Sequence, residues 1–540
     1  MSEVVPTFSL LDEPWIPVIY HDNRAARVSL LGMWDELHTI REIWYDSPTV
    51  VAVLHRLFMA IMYRAMPAQF NSLEHKADVL NKGEIAVDSI RHYLESHRDR
   101  FDLFHPTMPF YQTVALRDDP TKNHGPNTIL RHSAIPHFDR SDDKKPLPIL
   151  PAYAVLWLLE HQGYALGGRI TNSADSVYAA QLVNGLVVLL RGRNLFETLV
   201  CSMPVYNTDE ELGNYKPLPV STDRPAWESG APTQMKRMPY GWLDVLTWQS
   251  RRVLLLPEDA SDGWVVRKVI VSGGYDLEDR VFRDPMQFMR HTKDGARLLK
   301  LNTDRAMWRD LIPCLAWGQQ IDAQTPYTQV DYPNALIEYE EMRNTHLYDD
   351  IQPRLQILGI ANDKSKMELW RQEVMSVSVN LFANDDMKVQ LMNALKICTD
   401  GESSVSSAFF RFAEAMIARG GDRAVRKEDC TALSNSLNWR VKYWGNLESM
   451  YDHQIIQRLE SILRQHATNP EQLALQSGEV IDAWRTTLVR YAEQLYRSVA
   501  SASDGNSREL RALMSGEQAL QGSFYKAGLK VRKEVRDEQQ

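Results

Sequence analysis

The chain has 540 residues, of which 44% are hydrophobic and 24% charged, a balance typical of globular proteins and unlike that of disordered ones. Its 61 basic and 70 acidic residues give a net charge of −9, the opposite of a free-standing nucleic-acid-binding protein. Any contact with nucleic acid would therefore depend on local basic patches or on assembly into a larger particle. The length predicts roughly two to four domains.

Hydropathy and cysteine usage indicate the compartment. The longest apolar run, Pro148 to Leu159, is too short to span a bilayer and is interpreted as a buried element. The N-terminal residues are acidic and proline-containing where a secretory signal is basic and then apolar. The four cysteines are far apart and include no CxxC pair: Cys201, Cys314, Cys398 and Cys430. We expect a cytoplasmic protein without membrane contact, disulfide framework, metal or cofactor.

In the first 380 residues, short β-type runs alternate with helical stretches and prolines. Three runs predict strands: Ile16–Tyr20, Arg252–Leu256 and Val265–Val271. Ile85–Leu94 has apolar residues on one helical face, which predicts a helix. Leu182–Leu190 is apolar throughout, and its periodicity fits a buried strand and a helix equally well.

After about residue 384 the pattern becomes helical, and Pro470 is the only proline. Four apolar stripes at helical spacing follow: Val389, Met392 and Leu395; Phe409, Phe412, Ala413, Met416 and Ile417; Ile455, Leu459, Ile462 and Leu463; Ile481, Trp484, Leu488, Tyr491, Leu495 and Val499. We therefore predict an α+β protein, with a mixed α/β domain over residues 1–380 and a four-helix bundle over residues 381–540.

The common catalytic motifs are missing from the sequence. There is no Gly-Lys dipeptide for a phosphate-binding loop, and no GxGxxG, HExxH or GxSxG pattern. His21 and Asp22 form an isolated pair in a stretch that predicts a turn, and Asp142–Lys145 is typical of a solvated loop. We expect a protein that is not an enzyme; the alternative is a nucleic-acid-processing enzyme with an unrecognised active site.

Three local patches could meet nucleic acid, and each has a structural alternative. Phe138–Lys145 is followed by the glycine run Gly163–Gly168 and Arg169, which could equally be a turn between elements. Arg267 and Lys268 interrupt an apolar strand, where they could simply be the solvated face of an edge strand. Trp439–Trp444 interleaves Arg440 and Lys442 with aromatic residues, as does any helix that buries its rings and solvates its charges.

Four segments together carry a resemblance to a known family: Phe8–Val18, Phe104–Thr113, Leu189–Leu199 and Tyr443–Glu448. In this order they resemble segments of the large subunit of the type I-E CRISPR surveillance complex, the CasA subunit of Cascade. The likeness covers essentially the whole chain, although only these four segments are specific. The boundary near residue 380 agrees with the family plan of a mixed α/β domain followed by a four-helix bundle.

The resemblance implies a non-catalytic role in DNA recognition. Such subunits recognise the protospacer-adjacent motif, which is a short sequence beside the target in double-stranded DNA. They help to open the duplex and present it to a helicase–nuclease, while guide RNA in the companion Cascade subunits reads the target sequence. The implied partners are target DNA, the Cascade subunits with their guide RNA, and the helicase–nuclease.

The resemblance also implies site residues by position. The flexible DNA-contacting loop of the family corresponds to Phe138–Lys145, with contacts from Phe138 and Arg140. The glycine-rich loop corresponds to Gly163–Gly168, with Gly163, Gly167 and Gly168. The minor-groove lysine corresponds to Lys268, with Arg267 as its alternative, because adjacent strand residues are expected to face opposite sides.

The hairpin that separates the DNA strands corresponds to Asn362–Lys366, with Asn362, Lys364, Ser365 and Lys366 as contacts. Arg440 and Lys442 are expected to add non-specific DNA contacts. The sequence departs from the family pattern in three places. The hairpin lacks a glutamine, Tyr164, Ala165 and Leu166 interrupt the glycine run, and no cysteine cluster precedes Lys268.

Overall fold

The structure is a computed structural model that describes residues 5–118, 123–129, 146–169, 176–208, 216–278, 284–292, 295–302, 306–310, 329–348, 352–363, 366–382, 384–418, 425–500 and 507–530. The chain divides into two compact units. The N-terminal unit comprises Met1–Met307 and Gly318–Met375, and the C-terminal unit comprises Trp308–Trp317 and Ser376–Gln540. Trp308 was expected in the first domain, but its ring stacks on Tyr451 at 4.7 Å between centroids.

Eight named helices occur in the described part of the N-terminal unit: α1 (Leu30–Asp35), α2 (Pro48–Ala65), α3 (Leu73–Lys82), α4 (Val87–Ser96), α5 (Pro151–Tyr164), α6 (Leu195–Ser202), α7 (Trp242–Leu246) and α8 (Asn334–Asn344). Proline occupies the first turn of α2 and α5, where its missing amide costs no hydrogen bond. Helix α4 confirms the helix predicted over Ile85–Leu94. Helix α5 contains Pro151–Leu159 of the long apolar run, which is buried only in part, because Leu150 is 53% and Tyr153 36% exposed.

Strands of the N-terminal unit form several small sheets. They are β1 (Ile16–Tyr20), β2 (Ala25–Val28), β3 (Ile40–Ile43), β4 (Asn123–His124), β5 (Gly168–Arg169), β6 (Ser176–Val177), β7 (Val187–Arg191), β8 (Met235–Arg237), β9 (Arg251–Ala260), β10 (Gly263–Gly273), β11 (Tyr275–Leu277), β12 (Met289–Thr292), β13 (Gly295–Leu298), β14 (Gln329–Asp331), β15 (Arg354–Asp363) and β16 (Lys366–Ser378). The three predicted strands are confirmed as β1, β9 and β10. The ambiguous run Leu182–Leu190 forms a short 3-10 turn followed by β7.

Two three-stranded sheets contain predicted site residues, and their strand orders are β4-β10-β9 and β16-β15-β7. Strands β9 and β10 form a long antiparallel hairpin, and β4 pairs with the opposite edge of β10. The expectation that Arg267 and Lys268 could lie on an edge strand is therefore wrong, because β10 is the central strand of its sheet.

The core of the N-terminal unit surrounds helix α2, whose residues from Pro48 to Tyr63 are all buried. Helices α5 and α7 and strand β15 pack against it. Arg56 of α2 is also buried, and its guanidinium lies 2.9 Å from the carboxylate of Asp284. The pair compensates two charges that would otherwise be costly to bury.

The described part of the C-terminal unit is helical: α9 (Val379–Phe382), α10 (Asp385–Ile417), α11 (Lys427–Ser436), α12 (Trp439–Tyr451), α13 (Gln457–His466), α14 (Pro470–Ala500) and α15 (Ser507–Lys526). A π-helical turn, Asp452–Ile456, joins α12 to α13. The prediction of one helix for each apolar stripe is wrong: the first two stripes lie on the single 33-residue helix α10, and α15 was missed.

Buried aromatic residues fix these helices to α10. The hydroxyls of Tyr451 and Tyr443 donate to the carbonyls of Leu391 (2.9 Å) and Cys398 (2.7 Å), and the indole of Trp484 donates to that of Ala394 (3.1 Å). These carbonyls lie on one face of α10 at spacings of three and four residues. The polar atoms of three large buried side chains are thereby satisfied.

Candidate nucleic-acid interface

Strand β10 contains a β-bulge at the two predicted basic residues. Val266 pairs with Pro257, and Lys268 pairs with Leu256, so Arg267 is an extra residue without a partner on β9. Proline lacks the amide that a regular ladder needs, and strand prolines are typically found at edges or bulges. The expected alternation of Arg267 and Lys268 is therefore broken, because both side chains reach solvent at least in part.

The bulge gives the two cations different surroundings. Arg267 is half-buried: its guanidinium lies 3.1 Å from Glu258 and donates to the carbonyl of Pro146 at 3.2 Å. The side chain of Lys268 is exposed and forms no ion pair or hydrogen bond with any residue that the structure describes. The positive charge of Lys268 is thus available to a partner, whereas that of Arg267 is already paired.

The predicted glycine-rich loop is shorter than expected. Gly163 belongs to the last turn of α5, where a Cβ atom would lie 2.8 Å from the side chain of Val53, so its assignment to a loop is wrong. The loop itself runs from Ala165 to Gly167. Gly168 begins strand β5 with φ of +145°, a conformation that side chains disfavour.

Gly167 meets another part of its own chain. A Cβ atom at this position would lie 2.7 Å from the amide nitrogen of Ala179 and 3.2 Å from the carbonyl carbon of Tyr178. The nearby amide of Ala180 donates to the carbonyl of Ala165 at 2.8 Å. Gly167 therefore allows two backbone segments to pack together, a need that exists without DNA.

Arg251, the first residue of β9, binds the backbone of this loop through its side chain. The side chain is only 4% exposed. Its Nη2 donates to the carbonyls of Leu166 (3.0 Å) and Tyr178 (2.7 Å), and its Nη1 donates to that of Ser250 (2.9 Å). Burial lowers the pKa of this guanidinium to about 10, which still leaves it charged at neutral pH. The sequence reading missed Arg251, since an arginine at the start of a strand has no distinctive motif.

A cleft of about 250 Å³ lies beside strand β6 and the β9–β10 hairpin. Its lining includes Val177, Tyr178, Gln234, Lys236, Trp248, Arg251 and Tyr275. Arg237 lies over the rings of Trp248 (4.4 Å) and Tyr275 (4.0 Å), and Lys236 lies over that of Tyr178 (5.1 Å). These cation–π contacts already occupy one face of each ring, and we interpret them as structural.

The predicted strand-separating hairpin falls between two paired strands. Strand β15 ends at Asp363, β16 begins at Lys366, and the two are neighbours in one sheet. Asn362 is half-buried near the end of β15. Lys364 and Ser365 lie outside the described residues, as do Phe138 and Arg140 of the predicted flexible loop.

The C-terminal patch buries two of its aromatic residues and exposes its basic ones. Trp439 and Tyr443 are buried in the helical core, whereas Arg440 and Lys442 are exposed, and the guanidinium of Arg440 lies over the ring of Trp439 at 4.9 Å. Arg440 pairs with Glu402 at 2.8 Å, and Arg309 lies over the ring of Trp444. The structural alternative, a helix that buries its aromatic rings and exposes its charges, therefore accounts for Trp439 and Tyr443.

Metal-ligating side chains are scattered over the described part of the chain. Within these ranges, no three histidine, cysteine, aspartate or glutamate side chains lie close enough together to hold a metal ion. His21 and Asp22 occupy the predicted turn after β1 and are exposed. Among the helices that the structure describes, none has the length and hydropathy to cross a bilayer.

Comparisons with known proteins define the class. The fold is that of a mixed α+β protein with a helical C-terminal unit, and residues 9–495 match the family described as CRISPR-associated protein Cse1. The chain belongs to this family. It is 29% identical to CasA/Cse1 of Thermus thermophilus over 97% of this chain and 99% of that protein.

Solved structures agree with the family match. The structure of Thermus thermophilus CasA (Cse1) superposes with a TM-score of 0.75 at 26% identity, covering 97% of this chain and all of the other. A chain of a CRISPR RNA-guided surveillance complex superposes with a TM-score of 0.64 at 18% identity, covering 95% of this chain and 99% of the other. The second likeness shows a shared fold.

Proposed function

We propose that this protein is the large, non-catalytic subunit of a cytoplasmic CRISPR RNA-guided surveillance complex. In that complex it recognises the protospacer-adjacent motif in double-stranded DNA, helps to open the duplex and recruits the helicase–nuclease. Membership of the Cse1 family supports the general role. The net charge of −9 is compatible with it, because a subunit docked in a ribonucleoprotein needs only a few local DNA contacts.

The observation that carries the proposal is the exposed Lys268 on a central strand, which has no ion-pair partner among the described residues. A lysine presents a single flexible cation that can enter the minor groove, where acceptor atoms of the base edges lie. The bulge at Arg267 is of the kind that redirects side chains near functional sites. We propose Lys268, rather than Arg267, as the minor-groove lysine.

The glycine segment is connected to the same strand. Gly273, at the end of β10, packs against Val177 of strand β6, so that a Cβ atom there would lie 3.1 Å from the valine side chain. Lys268 precedes Gly273 by five residues, roughly 17 Å of strand. Strand β10 therefore connects Lys268 with the strand pair β5–β6, which the glycine segment begins.

The remaining assignments complete the proposal. The hairpin from Asn362 to Lys366 separates the DNA strands, and Phe138 and Arg140 add contacts from the flexible loop. Lys442 contributes to non-specific affinity, and Arg440 contributes less because Glu402 already pairs with it. We propose that residues 381–540 form a four-helix bundle that follows the domain of residues 1–380, with α10, α14, α15 and the continuous pair α12–α13 as its helices.

The test is a binding titration of the reconstituted complex. Two duplexes are compared that differ only in the motif beside the target. Lys268→Ala is expected to weaken binding to the motif-bearing duplex by about 1–3 kcal/mol and to affect the motif-free duplex much less. Arg267→Ala is the matched control, since it removes a neighbouring cation that is already paired.

Two results would contradict this assignment. An unchanged preference for the motif in Lys268→Ala would show that this lysine does not read the groove. A larger loss of affinity for the motif-bearing duplex in Arg267→Ala than in Lys268→Ala would show that Arg267, and not Lys268, reads the minor groove.

A further inference from the structure

Arg251 occupies an unusual position for a charged residue. It is buried, and no described carboxylate lies within ion-pair distance of its side chain, although the charge of Asp276 favours its charged form. Three backbone carbonyls accept its hydrogen bonds instead, and two of them come from segments that flank the β5–β6 hairpin. One buried cation therefore joins the loop before β5 to the chain after β6.

The contacts of Arg251 form a closed network with helix α5. The backbone amide of Arg251 donates to the side-chain oxygen of Gln162 (3.0 Å), and the side-chain nitrogen of Gln162 donates back to the carbonyl of Arg251 (3.0 Å). The hydroxyl of Ser250 donates to the carbonyl of Gln162 at 2.6 Å. Helix α5, strand β9 and the glycine loop are thereby fixed to one another.

The energetic consequence follows from the burial. A cation in a buried position is tolerated only while its donors are satisfied, because a buried charge without partners is very costly. Movement of Leu166 or Tyr178 away from Arg251 would leave donors unsatisfied. The native position of the loop is therefore favoured before any ligand arrives.

We propose that Arg251 is a positioning residue for motif recognition, which sets the glycine loop in its DNA-reading position in the free subunit. The inference rests on the proposed function. A loop that is ordered in advance does not lose conformational freedom on binding, and such preorganisation increases affinity for the correct partner. Arginine suits this role better than lysine, because its planar guanidinium has five donors in a fixed arrangement.

Arg252 provides a matched control on the same strand. Its Nε donates to the carbonyl of Gly273, and its Nη2 donates to the hydroxyl of Ser272, both at 2.7 Å. It is therefore also an arginine that binds backbone and side-chain oxygens. Its contacts, however, stabilise the β9–β10 pair and do not include the glycine loop.

The first measurement is hydrogen–deuterium exchange on the free full-length subunit. Arg251→Met is expected to increase exchange about 10-fold in peptides covering residues 163–169 and 176–180, the change in local opening expected when hydrogen bonds to a charged group are lost. Arg252→Met should leave these peptides unchanged. Arg251→Lys keeps the charge, and its exchange in these peptides should lie between that of the wild type and that of Arg251→Met. If Arg251→Met does not fold, Arg251→Lys takes its place in the test.

The second measurement is the ratio of affinities of the assembled complex for motif-bearing and motif-free duplexes. Arg251→Met should lower this ratio about 10-fold, and Arg251→Lys should lower it less. Arg252→Met should leave the ratio within about 2-fold of that of the wild type. In a double-mutant cycle, Arg251→Met and Gly168→Ala should be less than additive, because both act through the same loop.

The outcomes separate the inference from the proposed function. Unchanged exchange in Arg251→Met, or a wild-type affinity ratio in that variant, overturns the positioning role while leaving the proposed function intact. If the wild-type complex itself shows no motif preference, the proposed function is wrong, and so is the role of Arg251 in positioning a loop for motif recognition. In that case, faster exchange in Arg251→Met would show that Arg251 stabilises the loop without a role in DNA recognition.

Discussion

Gly167 and Gly168 are adjacent glycines that lack a side chain for different reasons. Gly167 leaves room for the backbone of Tyr178 and Ala179, whereas Gly168 adopts a positive φ. The sequence alone left two interpretations for both glycines, a turn between elements and a loop that contacts DNA. The structure separates an internal packing requirement at Gly167 from a conformational requirement at Gly168, and only the second leaves open a direct contact with DNA.

A substitution at Gly167 should therefore reduce stability in the absence of DNA. Gly167→Ala is expected to destabilise the N-terminal unit by about 1–3 kcal/mol, since the added methyl group would overlap backbone atoms. Urea unfolding of the free protein measures the change. Gly230→Ala is the control, because nothing lies within 4 Å of a Cβ atom there, and it should change stability by less than about 0.5 kcal/mol. Equal effects at both positions would refute the packing argument.

His55 makes the N-terminal unit sensitive to acid. It is buried in α2, its Nδ1–H donates to the carbonyl of Val51 at 2.8 Å, and burial lowers its pKa to about 4. In the unfolded chain a histidine has a pKa near 6.5. Between these values the unfolded state binds a proton that the folded state does not, so stability present above pH 6.5 is lost as the pH falls.

The expected loss from His55 is about 3 kcal/mol between pH 6.5 and pH 4. His55→Gln removes the titrating group, and its free energy of unfolding should depend less on pH in this range than that of the wild type. Burial lowers the pKa of His161 in the same direction, so part of the pH dependence should remain. The measurement is urea unfolding at several pH values, and identical slopes in wild type and variant would rule out a protonation-linked role for His55.

At the scale of elements, α14 shows how an apolar stripe becomes the core of a helical unit. Trp484 is 1% exposed, donates to Ala394 of α10 and packs edge-to-face against Tyr451 at 5.9 Å. The stripe predicted from Ile481 to Val499 is confirmed, and Leu475 of the same helix is 58% exposed. Helix α14 therefore contains both a core position and a matched surface position.

Trp484→Ala is expected to destabilise the C-terminal unit by about 3–5 kcal/mol, because it leaves a large cavity in the helical core. Leu475→Ala should change stability by less than about 0.5 kcal/mol. Thermal or urea unfolding monitored by circular dichroism, which reports the helices, measures both. A small effect of Trp484→Ala would mean that this stripe does not form the core.

At the scale of the whole molecule, the two units divide the proposed work. The N-terminal unit contains Lys268, the glycine loop and the paired strands β15 and β16, each proposed to contact DNA. The C-terminal unit contributes a helical surface on which basic side chains such as Lys442 are exposed. This division agrees with the proposal that an acidic chain contacts DNA only at local positions.

The purified protein is expected to cleave no DNA with any divalent metal. The sequence lacks a phosphate-binding loop, and in the described ranges no cluster of metal-ligating side chains is found. Incubation of plasmid and linear DNA with Mg²⁺, Mn²⁺, Ca²⁺ or Zn²⁺ tests this. Metal-dependent cleavage that survives repeated purification and disappears on substitution of a single carboxylate would establish an enzyme instead.

The sequence by itself determined the features that depend on local pattern. Alternating or continuous apolar residues located β1, β9 and β10, and helical spacing located α4 and the core face of α14. The four specific segments identified the family, because they follow the family's order along the chain. These patterns can be recognised without the tertiary structure, because each is formed by residues that are close together in the sequence.

Only the tertiary structure decided the features that depend on distant residues. The bulge at Arg267 lies where Val266 pairs with Pro257 and Lys268 with Leu256, and the packing requirement at Gly167 arises from Ala179. Two apolar stripes belong to one helix because the residues between them continue α10 without interruption. Arg251 was invisible to the sequence reading because its partners, the carbonyls of Leu166 and Tyr178, are backbone atoms more than seventy residues away, and no side-chain motif records them.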